Sequence, residues 1–198
     1  MGQRSDDTTA SVSFSETLTG YVDYDETDYE AAFRAGERAG RRLALQLQIT
    51  AADVDRFIAD EQHPAQVAGW VRGHALGGSI EVEGGEFNVV VLPDGGRRMD
   101  YRLRFHDGAG RPLTLVGHKE LPVRPDGAAW TLYLRVLAGH VDAGEQSAAP
   151  VIATGIAHIL PGDFAKQLTT FRVSPPLRLD ALARFGAFFA GNLWEAYR

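Results

Sequence analysis

The sequence predicts an all-β protein with accessory helices: a closed antiparallel β-barrel of lipocalin-like type, with one helix after the second strand and an amphipathic helix at the C-terminus. Three observations lead there. Short segments of alternating apolar and polar residues succeed one another along the chain, glycine-rich turn signals separate them, and few helical stretches interrupt them, which argues against a parallel sheet. Ten strands in a meander are expected to close on themselves, because closure removes the exposed edges.

The elements follow in order. Residues 1–12 are polar and read as a disordered tail, 13–174 as the barrel domain, and 175–198 as a helix packed on it. In "FSETLTGYV", residues 14–22, Phe14, Glu16, Leu18 and Gly20 share one strand face and the hydroxyl residues share the other. Residues 23–42 read as a loop and a short, weak helix, with Tyr29, Phe33 and Glu37 at helical spacing. The next segment, 43–49, alternates cleanly, with Leu43, Leu45, Leu47 and Ile49 facing inward. Thr50 is expected to cap a helix with the stripe Val54, Phe57 and Ile58, Asp53 standing at the capping-box position and Pro64 ending it.

Strands are then predicted at 66–73, 79–83, 86–92, 98–106, 112–122, 129–138, 151–159 and 164–173. The separators at 83–86, 93–96 and 107–110 carry the glycines of hairpin turns. After Pro175-Pro176, the spacing of Leu182, Phe185, Phe189 and Leu193 predicts the amphipathic helix, a brace on the barrel or a homodimer contact.

Composition narrows the function. The formal charge of -6 over 198 residues, with no Lys/Arg stripe, argues against a nucleic-acid partner. The chain has no cysteine, which excludes disulfides and thiol chemistry. It shows neither a secretory h-region nor a run of about 18 apolar residues, so a cytoplasmic protein without a membrane span is expected. Phosphate-loop, dinucleotide, G-x-S-x-G and H-E-x-x-H motifs are missing, and the six histidines are scattered. No cofactor and no metal are expected.

What remains is a set of ionisable groups on apolar faces. Glu16 lies between Phe14 and Leu18. Lys119 shares parity with Leu113, Leu115 and Leu121, but the opposite parity, with Val116, His118 and Glu120, is nearly as apolar, so the inward face is left open. His158 shares parity with Ile152, Ile156 and Leu160, and Tyr101 with Met99, Leu103 and Phe105. An inward Glu16 either pairs with Lys119 or an arginine as a structural ion pair, or does chemical work. The candidate catalytic set is Glu16, Glu120 and His158, with Phe14, Leu18, Tyr101, His118 and Lys119 as substrate-binding residues.

"FSETLTGYV", "DVDRFIADEQHPAQVAGWV" with "LGGSIEVEGGEFNVVV", "MDYRLRFHDGAGRPLTLVGHKEL", "GIAHILPGDFAKQLTTFRV" and "FGAFFAGNLWEAY" together resemble an accessory region of large bacterial cholesterol-oxidase-like proteins of the glucose-methanol-choline oxidoreductase family. The flavin-binding part of those proteins is absent here. Stand-alone proteins similar to this region are spiroacetal (spiroketal) cyclases of polyketide biosynthesis. The resemblance implies a reaction class, closure of a dihydroxy-ketone polyketide through an oxocarbenium-like state, and transfers no catalytic residue. Two rival classes stay open: a carrier for a sterol or polyketide, and a domain docking onto an oxidoreductase through its C-terminal helix.

Overall fold

The computed structural model describes residues 9–92, 97–121, 131–159, 170–174 and 179–194. In chain order the elements are β1 (Ser11–Asp23), α1 (Tyr29–Arg38), β2 (Arg42–Ala51), α2 (Val54–Ala59), β3 (Ala65–Gly73), β4 (Gly78–Glu81), β5 (Gly84–Val91) and β6 (Arg97–His106). They continue with β7 (Pro112–Leu121), β8 (Thr131–Ala138), β9 (Val151–His158), β10 (Arg172–Ser174) and α3 (Leu179–Trp194). Among the described residues every strand pairing is antiparallel.

Strands β1, β2, β3, β5, β6, β7, β8 and β9 form a continuous wall, and pairing of β1 with β9 closes it into the expected barrel. Alternation sorts the side chains. Val12, Phe14, Glu16 and Leu18 of β1 and Leu43, Leu45, Leu47 and Ile49 of β2 all turn into one buried core. Leu103, Phe105, Leu115, Leu132, Leu134 and Val136 fill it from the other side. At the seam, Gly20 faces Ala157, and Gly155 faces Val22. A Cβ on Gly20 would lie 1.8 Å from the Ile156 carbonyl oxygen, and one on Gly155 would lie 2.2 Å from that of Tyr21. Only glycine permits so close an approach of two backbones.

Three local expectations are corrected. The first strand begins at Ser11, and Ala10 and Val12 are buried, so residues 10–12 belong to the barrel and not to a tail. Thr50 remains in β2, where it pairs with Ser13, and Asp53 itself caps α2, its carboxylate accepting from the Arg56 amide at 3.0 Å. The glycines at 84–85 do not make a hairpin. Both β4 and β5 pair with β3, β4 along Trp70–Gly73 and β5 along Ala65–Val67, so they succeed one another along one neighbour. Gly85 serves a close approach instead, since a Cβ there would meet the Val67 carbonyl oxygen at 2.2 Å. The separator at 93–96 lies outside the described residues, as does most of the strand expected at 164–173, of which β10 begins at Arg172.

Helix α1, capped by Asp28, packs outside the seam: Phe33 meets the rings of Tyr21 at 5.6 Å and His158 at 5.5 Å. Helices α2 and α3 meet over one barrel end, where Phe185 lies 5.3 Å from Phe57 and 6.3 Å from Phe14. Ala181 and Phe185 are buried, and Leu182 and Phe188 are partly so. The side chains of Phe189 and Leu193 lie outside the described ones.

Candidate active site in the barrel lumen

The strand parity left open at residues 113–121 is settled by β7, which turns Leu113, Leu115 and Lys119 inward. Met99 of β6 is the register partner of Lys119, and Tyr101 stands one inward step further along. Glu16 projects from β1, and β6 stands four strands from β1 in either direction around the wall. The lumen is therefore crossed by a polar bridge between opposite walls.

Its geometry is tight. The Lys119 Nζ donates to Glu16 Oε1 at 3.0 Å and to Oε2 at 2.9 Å, and the Tyr101 hydroxyl donates to Oε2 at 2.9 Å. The ammonium also lies 5.0 Å from the centre of the Tyr101 ring, a cation–π distance. Phe87 meets that ring edge-on at 5.1 Å. Glu16 is 5% exposed and Lys119 is 1% exposed, so these groups are removed from water and need hydrogen-bond partners within the protein. Burial first, then the Glu16 charge and its hydrogen bond, holds the Tyr101 phenol well above its ordinary value of 10.0. Tyr101 is thus a neutral donor at physiological pH, and both it and Lys119 donate to the Glu16 carboxylate.

Phe14 and Leu18 flank Glu16 on the same face, as alternation predicts, and both are buried. Phe14 stacks on Phe171 at 5.3 Å. Five of the predicted residues, Phe14, Glu16, Leu18, Tyr101 and Lys119, therefore share the lumen. The other three do not. Glu120 is exposed on the outer wall, one residue out of phase with Lys119. His118 also faces outward, stacked on Tyr133 at 5.5 Å and edge-on to Tyr29 at 6.0 Å. His158 lies outside the barrel beneath α1, its Nδ1 3.2 Å from the Thr131 hydroxyl. The acid/base couple expected between Glu16 and Glu120 or His158 is not assembled, because alternation puts a wall of backbone between them.

Among the described residues, two clusters lie outside the lumen, and His118 belongs to the first of them. A cleft of about 300 Å³ on the outer wall is lined by Tyr29, Arg98, Asp100, Arg102, His118 and Arg135, with Arg135 over the Tyr29 ring at 5.0 Å. The alternating arginines of "RRMDYRLRF" were its legible trace. At the rim away from α2 and α3, Glu83, His106 and His140 come together. Their spacing in the sequence gives no sign of it. No helix among the described residues is long and apolar enough to cross a membrane. Comparison with family models, with curated proteins and with solved structures finds no match.

Proposed function

We propose that the protein is a cytoplasmic, cofactor-independent cyclase that closes a hydrophobic dihydroxy-ketone of polyketide type to a spiroacetal within the barrel. The observation that carries the reading is the Glu16 carboxylate, gripped by Lys119 and Tyr101 among the apolar side chains that the described strands turn into the lumen. The resemblance of the sequence blocks supplies the reaction class.

The chemistry needs proton donors and an acceptor within reach of one carbon. One substrate hydroxyl adds to the ketone to give a hemiacetal. Its hydroxyl then leaves as water with a proton from a donor, and the second hydroxyl adds to the oxocarbenium carbon and gives up its own proton, so the net products are the spiroacetal and one water. Lys119 and Tyr101 are the available donors, and Glu16 is the group to stabilise the cation and take the last proton. The substrate exchanges its hydroxyls for one of the bonds that now hold the three side chains together. Apolar walls keep bulk water from the cation. Stereocontrol asks little of them: a 100:1 epimer ratio corresponds to roughly 2.7 kcal/mol of differential barrier.

One observation favours a second reading. The polar groups of the lumen satisfy one another, as they would in a carrier that grips a sterol or polyketide without turnover. Purified protein incubated with a linear dihydroxy-ketone, beside a no-protein control, Glu16→Gln and Tyr101→Phe, separates the two by chiral chromatography. A cyclase gives one epimer faster than the control, with both variants drifting toward the spontaneous ratio while their circular dichroism stays native. Binding without any change of rate or ratio establishes the carrier.

A further inference from the structure

We propose that Glu83, His106 and His140 form a binding site for a divalent transition-metal ion of the zinc class at the barrel rim away from the two end-capping helices. One ligand atom from each residue lies within 4.8 Å of the others. Two imidazoles and one carboxylate form the borderline donor set that zinc and its neighbours in the first transition row prefer over magnesium or calcium.

The three residues come from separate elements, and the fold fixes the backbone of each. Glu83 sits between β4 and β5, its amide bonded to the Arg104 carbonyl at 2.9 Å. His106 ends β6. His140 follows β8 directly after Gly139, whose amide bonds to the Pro112 carbonyl at 2.9 Å. The side chains are exposed, so an ion reaches them without opening the barrel.

Hydrogen bonding prepares the ligands. The Phe105 carbonyl, which can only accept, lies 3.3 Å from His140 Nε2, so that nitrogen donates and the lone pair of the neutral ring is on Nδ1. A carbonyl holding the second nitrogen of an imidazole is the usual outer support of a metal-binding histidine. The Glu83 carboxylate can only accept, so His106 Nδ1, 2.6 Å from Oε1, donates to it, and a metal bound at that nitrogen displaces the proton, leaving the ring's hydrogen on Nε2. The two imidazole rings stand 4.8 Å apart at 67°, tilted and not stacked. Tetrahedral ligands at zinc distances are about 3.3 Å apart, so His106 and Glu83 open slightly and His140 closes in. Rotation of exposed side chains is enough for this. Three protein ligands leave a fourth position for water.

The test uses the untagged full chain, stripped with chelator and titrated with zinc chloride by calorimetry, with cobalt(II) absorption as a second readout. The expected result is one saturable equivalent and the visible bands of tetrahedral cobalt. His106→Ala and His140→Ala each weaken binding roughly tenfold or more, Glu83→Gln weakens it less, and His74→Ala leaves it unchanged, all with native circular dichroism. Absence of saturable binding by the wild type overturns the site, as does equal affinity in the His106→Ala/His140→Ala double variant.

Discussion

A carboxylate between two hydrophobic residues is the feature from which the candidate site grows, and its energetics are asymmetric. Glu16 and Lys119, 103 positions apart, meet in the lumen with almost no water. Lys119→Met removes a charged, doubly hydrogen-bonded partner from a buried carboxylate and is expected to destabilise the barrel by about 3–5 kcal/mol, whereas Glu16→Leu with Lys119→Met costs less than the two single changes added together. Urea denaturation of the four proteins measures this directly; additive effects would show that the pair is not coupled. Glu16 was legible because its neighbours on β1 alternate without ambiguity. Lys119 was legible as a candidate partner but its facing was not, since the outer face of β7 is itself apolar: Val116 packs there with Leu137 and Val141 in a small second cluster. His158 misled for the same kind of reason. Its parity partner Ile156 is buried, but beneath α1 and not in the lumen, and a strand covered on both faces loses the alternation that tells inside from outside.

Helix α1 is the element that erased that signal, and it rests on two histidines. His158 packs on Phe33, and His118 on Tyr29. Burial is the largest influence on both and lowers each below its ordinary value of 6.5; at His158 the Glu30 charge opposes this in part, while at His118 Arg98 adds to it and Asp100 and Glu120 oppose it. With the folded value depressed, the unfolded chain binds more protons between that value and 6.5, so stability rises with pH across this window. Their contribution is fully present above 6.5 and is lost as pH falls through the folded values. The urea midpoint is expected to drop from pH 7.5 to pH 5.5, with a shallower slope in His158→Phe. Amide exchange in Tyr29–Arg38 should accelerate before exchange in β6 and β7. A midpoint slope unchanged in the variant would remove His158 from the account. At the sequence level only Tyr29, Phe33 and Glu37 marked this helix; Asp28, its cap, and the wall it covers become visible only once β1 and β9 are adjacent.

At the scale of the whole molecule, everything depends on closure. The bridge from Glu16 to Lys119 and Tyr101 exists because β1 and β6 face each other across a finished ring, and α1 has a surface to cover because β1 lies beside β9. Closure of the barrel was legible from the count of strands, since an open meander of that length leaves edges unpaired. The place of closure was not, because pairing between the first and ninth strands is a long-range contact with no local signature. Its physical requirement is the absence of side chains at the seam. Gly20→Ala puts a methyl group 1.8 Å from the Ile156 carbonyl oxygen, with the Ala157 Cα at 2.6 Å, and both obstacles are backbone that no rotamer change relieves. The substitution therefore forces β1 and β9 apart, and its expected cost exceeds about 4 kcal/mol, beyond what most single substitutions inflict. Gly144→Ala, with nothing within 4 Å of the added carbon, is the matched control and is expected to change stability little. Thermal unfolding followed by circular dichroism compares the two. A Gly20→Ala protein as stable as the control would mean that the ring closes elsewhere or not at all, and the lumenal bridge would lose its basis with it.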